Sequence, residues 1–171
     1  MKKRAKKAAR AFTLVLLCAV FILTACGEKG EYKKDVAPKE IAEALRKTTP
    51  TESVWIDEDQ TFIEEYVSLS ENVKESHIYY AQNTNDLDEF GIFWVEDGQA
   101  KAVKTMLTQG YLQKRYSENL DWYNSYMPTE TPKLRDAEVR VYGNCVAYAI
   151  LSPEKRTAFF AECEKLFKNE K

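Results

Sequence analysis

Histidine and glycine are scarce in this chain, which has one histidine, His77, and six glycines among 171 residues. A single histidine excludes metal sites built from several imidazoles, and a serine- or cysteine-based catalytic triad would depend on His77 alone. No glycine-rich phosphate loop and no Gly-x-Ser-x-Gly motif occurs. These absences argue against a nucleotide-binding protein and against the commonest hydrolases.

The chain also lacks an apolar run long enough to cross a membrane. The apolar stretch at residues 11–23 has about 13 residues, whereas a spanning helix needs roughly 20. Six basic residues precede it within positions 1–10, and small residues follow it up to Cys26. This arrangement is typical of a secretory signal peptide. We therefore predict that residues 1–25 are a cleaved signal peptide and not an uncleaved transmembrane anchor.

The cleavage region, Leu23-Thr24-Ala25-Cys26, resembles the lipobox of bacterial lipoproteins. The resemblance implies that the Cys26 thiol receives a diacylglyceryl group and that residues 26–34 form the lipidated cysteine and a polar tether. Two acyl chains hold a protein stably to a bilayer, whereas one chain does so only marginally. We therefore expect lipid anchoring at the extracytoplasmic face of the cell membrane, with the membrane as one partner.

Basic residues are in the minority once the signal peptide is removed. The first 25 residues contain six of the 25 basic residues and none of the 27 acidic ones, so the remainder has 19 against 27, a formal net charge of −8. A nucleic-acid-binding protein would need a basic surface, so no nucleic acid is expected as a partner. An acidic domain is not attracted to anionic lipid either, which leaves the anchoring to the acyl chains.

Cysteine is too sparse for a metal site, because no CxxC pair occurs and no cysteine–histidine spacing suits zinc. Without Cys18 and Cys26, only Cys145 and Cys163 remain. An exported protein can form a disulfide, but we favour the alternative that both are small buried hydrophobic residues. We predict no cofactor and no metal.

Residues 35–171 are predicted to form a single α+β domain. Strand-like runs occur at residues 77–81, 89–95, 133–142 and 145–151, with turns at residues 82–86 and at Gly143-Asn144. Helical periodicity marks residues 36–47, one long helix over 98–127 with a kink or close packing at Gly110, and a last helix from Pro153. Residues 55–69 are ambiguous, with a short helix at 61–66. The resulting fold is a four-stranded antiparallel sheet of two hairpins with a long central helix, a C-terminal helix and an N-terminal helix.

Two of the predicted strands are apolar on both faces. Residues 90, 92 and 94 are apolar, and so are residues 93 and 95; residues 145–151 follow the same pattern. A sheet with one wet face would alternate, so both faces should be covered. We expect the long and C-terminal helices to cover one face, and residues 36–69 or a partner protein to cover the other.

Taken together, the lipobox, the first helix, the segment Glu89-Phe90-Gly91-Ile92-Phe93, the helix ending at Tyr126-Met127-Pro128 and the Gly143-Asn144 turn resemble the DUF4358 lipoproteins of Firmicutes. The resemblance covers about residues 32–168 and implies a location and a domain type. It implies no activity, because none is established for the family. A Gram-positive source would place the lipid in the outer leaflet of the cytoplasmic membrane.

Three groups of residues are candidates for chemistry. His77 and Cys145 could form a thiol–imidazole pair, although a polar strand residue is the commoner role for such a histidine. Acidic residues at 57–59 and at 86, 88 and 89 could bind Ca²⁺ or supply a carboxylate pair, although solvated loop charges are commoner. Trp122 and Tyr126, with Trp94, could contact a sugar or peptide; the more frequent alternative is a second packing seam of residues 122 and 126 against the N-terminal helix.

These patterns favour a non-catalytic, membrane-tethered domain that binds an envelope protein or a cell-wall component. The alternative is an envelope hydrolase that uses Cys145 and His77 or a pair of carboxylates. The hydrolase requires these side chains to lie within hydrogen-bonding distance in a concave pocket.

Overall fold

The computed structural model describes residues 32–33, 36–69 and 71–168. The predicted signal peptide, Cys26 and most of the predicted tether lie outside these residues. The strands are β1 (Trp55–Glu58), β2 (Val73–Ala81), β3 (Glu89–Val95), β4 (Glu138–Tyr142) and β5 (Cys145–Ile150). The helices are α1 (Pro38–Thr48), α2 (Ala100–Thr105), α3 (Lys114–Glu118), α4 (Leu120–Tyr126), α5 (Thr131–Arg135) and α6 (Pro153–Phe167), with a 3₁₀ turn (Gln60–Ile63) and a π-helix (Met106–Gln113). No helix in these segments is long and apolar enough to cross a membrane.

The sheet is antiparallel and has five strands in the order β1-β2-β3-β5-β4. The prediction of four strands was wrong because the ambiguous segment supplies β1, whose Trp55 pairs with Ala81 of β2. Four residues that end in Asp57 and Glu58 show too little alternation to identify a strand. The short helix predicted at residues 61–66 is a single 3₁₀ turn, whose N-terminus is capped by the Asp59 carboxylate accepting from the Thr61 N–H.

Both faces of the sheet are covered by the chain itself. On one face, Phe93, Tyr148 and Ile150 pack against the helical layer of residues 100–127. On the other face, Phe90 and Ala147 belong to a core shared with α1 and α6. The expectation that the long and C-terminal helices share one face was therefore wrong, since periodicity identifies the apolar side of a helix but not the sheet face it meets. No partner protein is needed to cover the sheet.

The predicted single helix over residues 98–127 is broken into four pieces. A π-helix replaces α-helix over Met106–Gln113, and Asn119 (φ −120°, ψ 13°) separates α3 from α4. The close packing expected at Gly110 is confirmed, because a Cβ atom there would lie 3.3 Å from Val67 side-chain atoms. The strand predicted from residue 133 begins only at Glu138, because α5 occupies Thr131–Arg135.

The other predicted elements are present, although β2 begins at Val73, four residues before the predicted start at residue 77. Both α1 and α6 begin at a proline, which lacks the N–H that a first helical residue would leave unpaired. The hairpin turn between β4 and β5 has Gly143 at φ 60°. Cys145 and Cys163 are free and buried.

The strands end in two groups, which we call the hairpin end and the Glu89 end. The hairpin end contains Val73, Val95 and the Gly143–Asn144 turn, since Val73 pairs with Val95 and the Val95 N–H donates to the Asn144 carbonyl. The Glu89 end contains Glu89 and Ile150, which pair with each other. The first described residues lie at the hairpin end, where the Tyr32 ring packs 5.6 Å from that of Tyr142.

Candidate ligand-binding surface

Two aromatic side chains of α4 project into solvent. Trp122 is 51% exposed and Tyr126 is 73% exposed. Their ring centroids lie 5.5 Å apart with an interplanar angle of 36°. The spacing of four residues places both on one side of the helix. The expectation that they form a packing seam against the N-terminal helix was wrong, because α1 lies on the opposite face of the sheet. We call Trp122 and Tyr126 the aromatic pair.

Trp94, the third predicted contact residue, does not join the aromatic pair. It is only 8% exposed and belongs to the core on the α1/α6 face of the sheet. Its ring lies 6.4 Å from that of His77 and 6.5 Å from that of Phe167. The buried Trp94 Nε1–H has no hydrogen-bond partner among the described residues. The structure therefore brings together two of the three predicted contact residues.

A buried hydrogen-bond network contacts the aromatic pair on its core side, through Tyr123. The Trp122 ring lies 5.3 Å from that of Tyr123, whose hydroxyl accepts from Arg115 Nε at 3.2 Å. Arg115 Nη1 donates to Glu89 Oε2 at 2.7 Å. The hydroxyls of Tyr111 and Tyr148 each donate to Glu89 Oε1 at 2.6 Å. We call these residues the Glu89 cluster; sequence reasoning missed it, although a glutamate opening an otherwise apolar strand was a visible signal.

The pKa values of three groups in the Glu89 cluster, those of Tyr111, Tyr148 and Arg115, are all raised. Burial, and then the negative charge of Glu89, raise the pKa of Tyr111 and of Tyr148 well above the ordinary phenol value. Burial alone would lower the pKa of Arg115, but the facing Glu89 carboxylate raises it overall. The two phenols therefore remain hydrogen-bond donors and the guanidinium remains charged at neutral pH. A carboxylate with three fixed donors is suited to positioning its neighbours.

Local backbone features bring the donors to Glu89. Gly91 pairs with Tyr148 across the sheet, and a Cβ atom at Gly91 would overlap the Tyr148 ring. The glycine therefore leaves room for this ring beside β3, from where its hydroxyl reaches Glu89. The π-helix contains Tyr111 and leads directly into α3, which contains Arg115. Such π-helical segments occur frequently at functional sites.

A second buried acidic residue, Asp88, forms a separate cluster. Lys133 Nζ lies 2.7 Å from Asp88, 2.6 Å from Glu130 and 2.9 Å from Asp86, and Lys155 Nζ lies 2.5 Å from Asp88. We call these five residues the Asp88 cluster. The expectation of solvated loop charges was wrong for Asp88, which is 1% exposed.

The Asp88 cluster has the oxygen atoms of a cation site but already contains a cation. Carboxylate oxygens of Asp86, Asp88 and Glu130 lie within 4.8 Å of one another. The Lys133 ammonium contacts all three residues, so it takes the position in which a metal ion would lie. Glu89, the third acidic residue of the predicted Ca²⁺ group, points instead into its own cluster. This arrangement joins the β2–β3 loop to α5 and α6.

His77 and Cys145 are engaged elsewhere. The His77 Nδ1 atom lies 3.2 Å from Asp57 Oδ1, and Nε2 lies 3.3 Å from Glu75 Oε1. Among the described residues, no hydrogen bond joins His77 to Cys145. Burial, and then the nearby Cys163, raise the pKa of the Cys145 thiol well above its ordinary value. A thiolate nucleophile is therefore strongly disfavoured at this position.

A shallow groove of about 680 Å³ runs beside α1. Six of its lining residues belong to α1, and Glu75 of β2 closes it on one side. Its rim carries lysine and glutamate side chains of both signs, namely Lys39, Glu40, Glu43, Lys47 and Glu75. The groove lies on the α1/α6 face and so is separate from the aromatic pair.

Comparison with protein families identified a match. A family model described as Domain of unknown function (DUF4358) matches residues 53–151, which is more than half of the chain. The matched span includes the aromatic pair and the whole Glu89 cluster, and it ends before Lys155. Comparisons with curated proteins and with solved structures found no match.

Proposed function

The chain belongs to the family of the domain of unknown function DUF4358, and we propose that it is a lipid-anchored, extracytoplasmic binding protein without catalytic activity. In this proposal residues 1–25 direct export, Cys26 carries the lipid, and the folded domain binds an envelope protein or a cell-wall component. A source among the Firmicutes would place the anchor in the outer leaflet of the cytoplasmic membrane. The observation that carries the binding role is the exposed aromatic pair.

The aromatic pair has the properties of a binding hot spot. Tryptophan and tyrosine contribute more to binding energy than most residues, because they bury a large area with few rotatable bonds. Trp122 contacts Tyr123, which the Glu89 cluster holds through Arg115. A side chain that is already held in place loses little conformational entropy on binding. The cluster therefore supports a surface that is ordered before a ligand arrives.

Sugars and peptides are the ligand classes that suit this surface. Aromatic faces stack on the apolar faces of sugar rings and on peptide side chains. Ser125, three residues after Trp122 on α4, is exposed and can donate and accept a hydrogen bond at the rim. Both ligand classes occur outside the cytoplasmic membrane, in agreement with the proposed location.

The chemistry of the buried groups supports a non-catalytic role. Glu89 and Asp88 are buried and each is paired with a cation, so neither carboxylate is open to a substrate. The Cys145 thiol is buried and uncharged, and His77 is bound by two carboxylates. Glu89, Asp88 and His77 each have a charged partner that accounts for their position.

The lipid anchor can be tested by substituting Cys26. We expect the Cys26→Ser variant to lose the mass of the diacylglyceryl group and to leave the membrane fraction, because no thiol remains at the lipobox position. The Cys18→Ser variant is the matched control and should remain lipidated, since Cys18 lies within the predicted signal peptide. The measurement is intact-protein mass spectrometry after membrane fractionation. An unmodified Cys26 thiol in the native protein would contradict the anchor.

The binding role can be tested on the aromatic pair. We expect Trp122→Ala combined with Tyr126→Ala to weaken binding by about thirtyfold or more, because hot-spot truncations cost about 2 kcal/mol or more. Binding is measured by co-sedimentation with purified cell wall and by crosslinking in intact cells. Phe62→Ala is the matched control, since Phe62 is also an exposed aromatic residue but stacks on Tyr80 of β2. Equal binding by the double variant and the control would contradict the proposal.

A further inference from the structure

The exposed apolar side chains are concentrated at one end of the molecule. Among the described residues, the large hydrophobic side chains that are exposed are those of Val54, Phe62, Trp122 and Tyr126. The carbonyl of Val54 accepts from the Gln82 N–H just beyond β2, and Phe62 stacks on Tyr80, the partner of Glu89. The aromatic pair is connected to Glu89 itself through Tyr123 and Arg115. All four side chains therefore lie at the Glu89 end.

The chain enters the domain at the opposite end. The Lys33 N–H donates to the Phe167 carbonyl at 2.8 Å, and Tyr32 forms a β-bridge with Lys168. The Tyr32 ring packs against that of Tyr142, beside the Gly143–Asn144 turn. These contacts hold the start of the described chain at the hairpin end.

The length of chain before Tyr32 limits how far the hairpin end can be from the lipid. Cys26 precedes Tyr32 by six residues, which span at most about 20 Å when fully extended. Val95 likewise lies six positions after Glu89 in β3, and at about 3.3 Å per residue the two ends of the sheet lie about 20 Å apart. Even when fully extended, the six-residue tether therefore spans no more than about the distance between the two ends of the sheet.

The surface of the hairpin end suits a position beside a bilayer but not inside it. None of the four exposed large hydrophobic side chains named above lies there. Its surface side chains are polar and contact one another. Asn144 Nδ2 donates to Asp97 Oδ1 at 2.6 Å, and Lys74 forms an ion pair with Glu96 at 3.2 Å. Such a surface can face lipid head groups without inserting side chains among the acyl chains.

We infer that the molecule is polarised: the hairpin end faces the lipid bilayer, and the Glu89 end, with its exposed hydrophobic side chains, faces away from it. The inference rests on the proposed lipid anchor at Cys26. It assigns the aromatic pair to a ligand on the wall side of the membrane and not to the membrane itself, although exposed tryptophan and tyrosine often mark membrane-interface contacts.

The test compares two labelled positions in the anchored protein. Glu71→Cys places a fluorophore at the hairpin end, and Ser125→Cys places the same fluorophore between the two residues of the aromatic pair; both native residues are exposed. Cys145 and Cys163 are buried and should not react in the folded protein. The protein lipidated at Cys26 is placed in vesicles of phosphatidylcholine and phosphatidylglycerol that contain a lipid with a short-range nitroxide quencher on its head group.

We expect quenching to be several-fold stronger for the label at position 71 than for the label at position 125. Equal quenching, or stronger quenching at position 125, in protein that is lipidated and bound to vesicles would overturn the inference and leave the anchor intact. An unlipidated Cys26 in the native protein, measured by mass, would overturn the anchor and the inference together. The two failures are therefore distinguishable.

Discussion

Asp88 and Glu89 are adjacent in the chain and both bury a carboxylate, yet their surroundings differ in kind. Glu89 faces one guanidinium and two phenols inside the core beneath the aromatic pair. Asp88 faces two lysines at the end of the central strand β3, where Asp86 and Glu130 share one of them. Successive residues of a strand point to opposite sides, so one dipeptide serves two clusters.

The comparison shows two ways to stabilise a buried carboxylate. The Asp88 cluster distributes its charges over a loop and two helices, so that Asp88 has two lysine partners and Lys133 has three carboxylate partners. The Glu89 cluster has one cation, and its other donors are neutral groups fixed by packing. Removal of a single partner should therefore be costlier at Glu89 than at Asp88, since an unpaired buried charge is the most unfavourable outcome.

The largest effect is expected from Glu89→Gln. This change leaves the Arg115 guanidinium without a counter-ion in a buried position, and we expect the free energy of unfolding to fall by about 3–5 kcal/mol. The measurement is urea denaturation followed by circular dichroism. Glu71→Gln is the control, because Glu71 is exposed. A loss no larger than that of the control would show that the cluster does not stabilise the fold.

A smaller effect is expected from Lys133→Met in the Asp88 cluster. Asp88 keeps Lys155 as a partner in this variant, so the loss should be about 1–3 kcal/mol. Because three carboxylates then face one another, added Ca²⁺ should restore part of the lost stability. Lys165→Met is the control, since Lys165 is exposed and its ion pair with Glu162 lies outside the Asp88 cluster. A loss equal to that of Glu89→Gln would break the contrast between the two clusters.

The smallest effects are expected at the extremes of pH. The pKa of Asp86 is lowered below its ordinary value of 3.8: burial opposes the shift, but the Asp88 N–H and Lys133 outweigh it. Its contribution to stability is therefore present above about pH 4 and is lost as the pH falls. The pKa of Tyr148 is raised above 10, chiefly by burial, so its contribution is complete below pH 10 and is lost as the pH rises.

The loss of stability at low pH (the acid limb of the profile) and the loss at high pH (the alkaline limb) can be separated with single substitutions. Asp86→Asn should flatten the acid limb of the stability profile, and Tyr148→Phe should flatten the alkaline limb. Stability is measured by urea denaturation from acid to alkaline pH. A flattened acid limb in Tyr148→Phe would contradict the assignment of that limb to the Asp88 cluster.

Much of the fold could be predicted from local patterns. The prolines at 38 and 153 and the glycine at 143 mark element boundaries through their own backbone restrictions. Strand β1 could not be predicted, because its four residues acquire their conformation from pairing with β2. The π-helix could not be predicted from hydrophobic periodicity either, since it adds about one residue per turn to a pattern that is otherwise typical of an α-helix.

The candidate site could be predicted only in part. Trp122 and Tyr126 were identified from their residue types, but their exposure was not, because the same spacing suits a packed seam. Trp94 was grouped with them, although the sheet separates it from α4. The Glu89 cluster joins residues up to 59 positions apart in the chain, and no local pattern reports contacts at that separation.

The amino-acid sequence alone determined the apolar strands, the starts of α1 and α6 and the lipobox-like segment, because each depends on neighbours within a few residues. Only the tertiary structure decided which sheet face each helix covers, which carboxylate meets which cation, and which aromatic side chains reach solvent. Those outcomes depend on which distant segments pack together, and packing is a property of the whole chain.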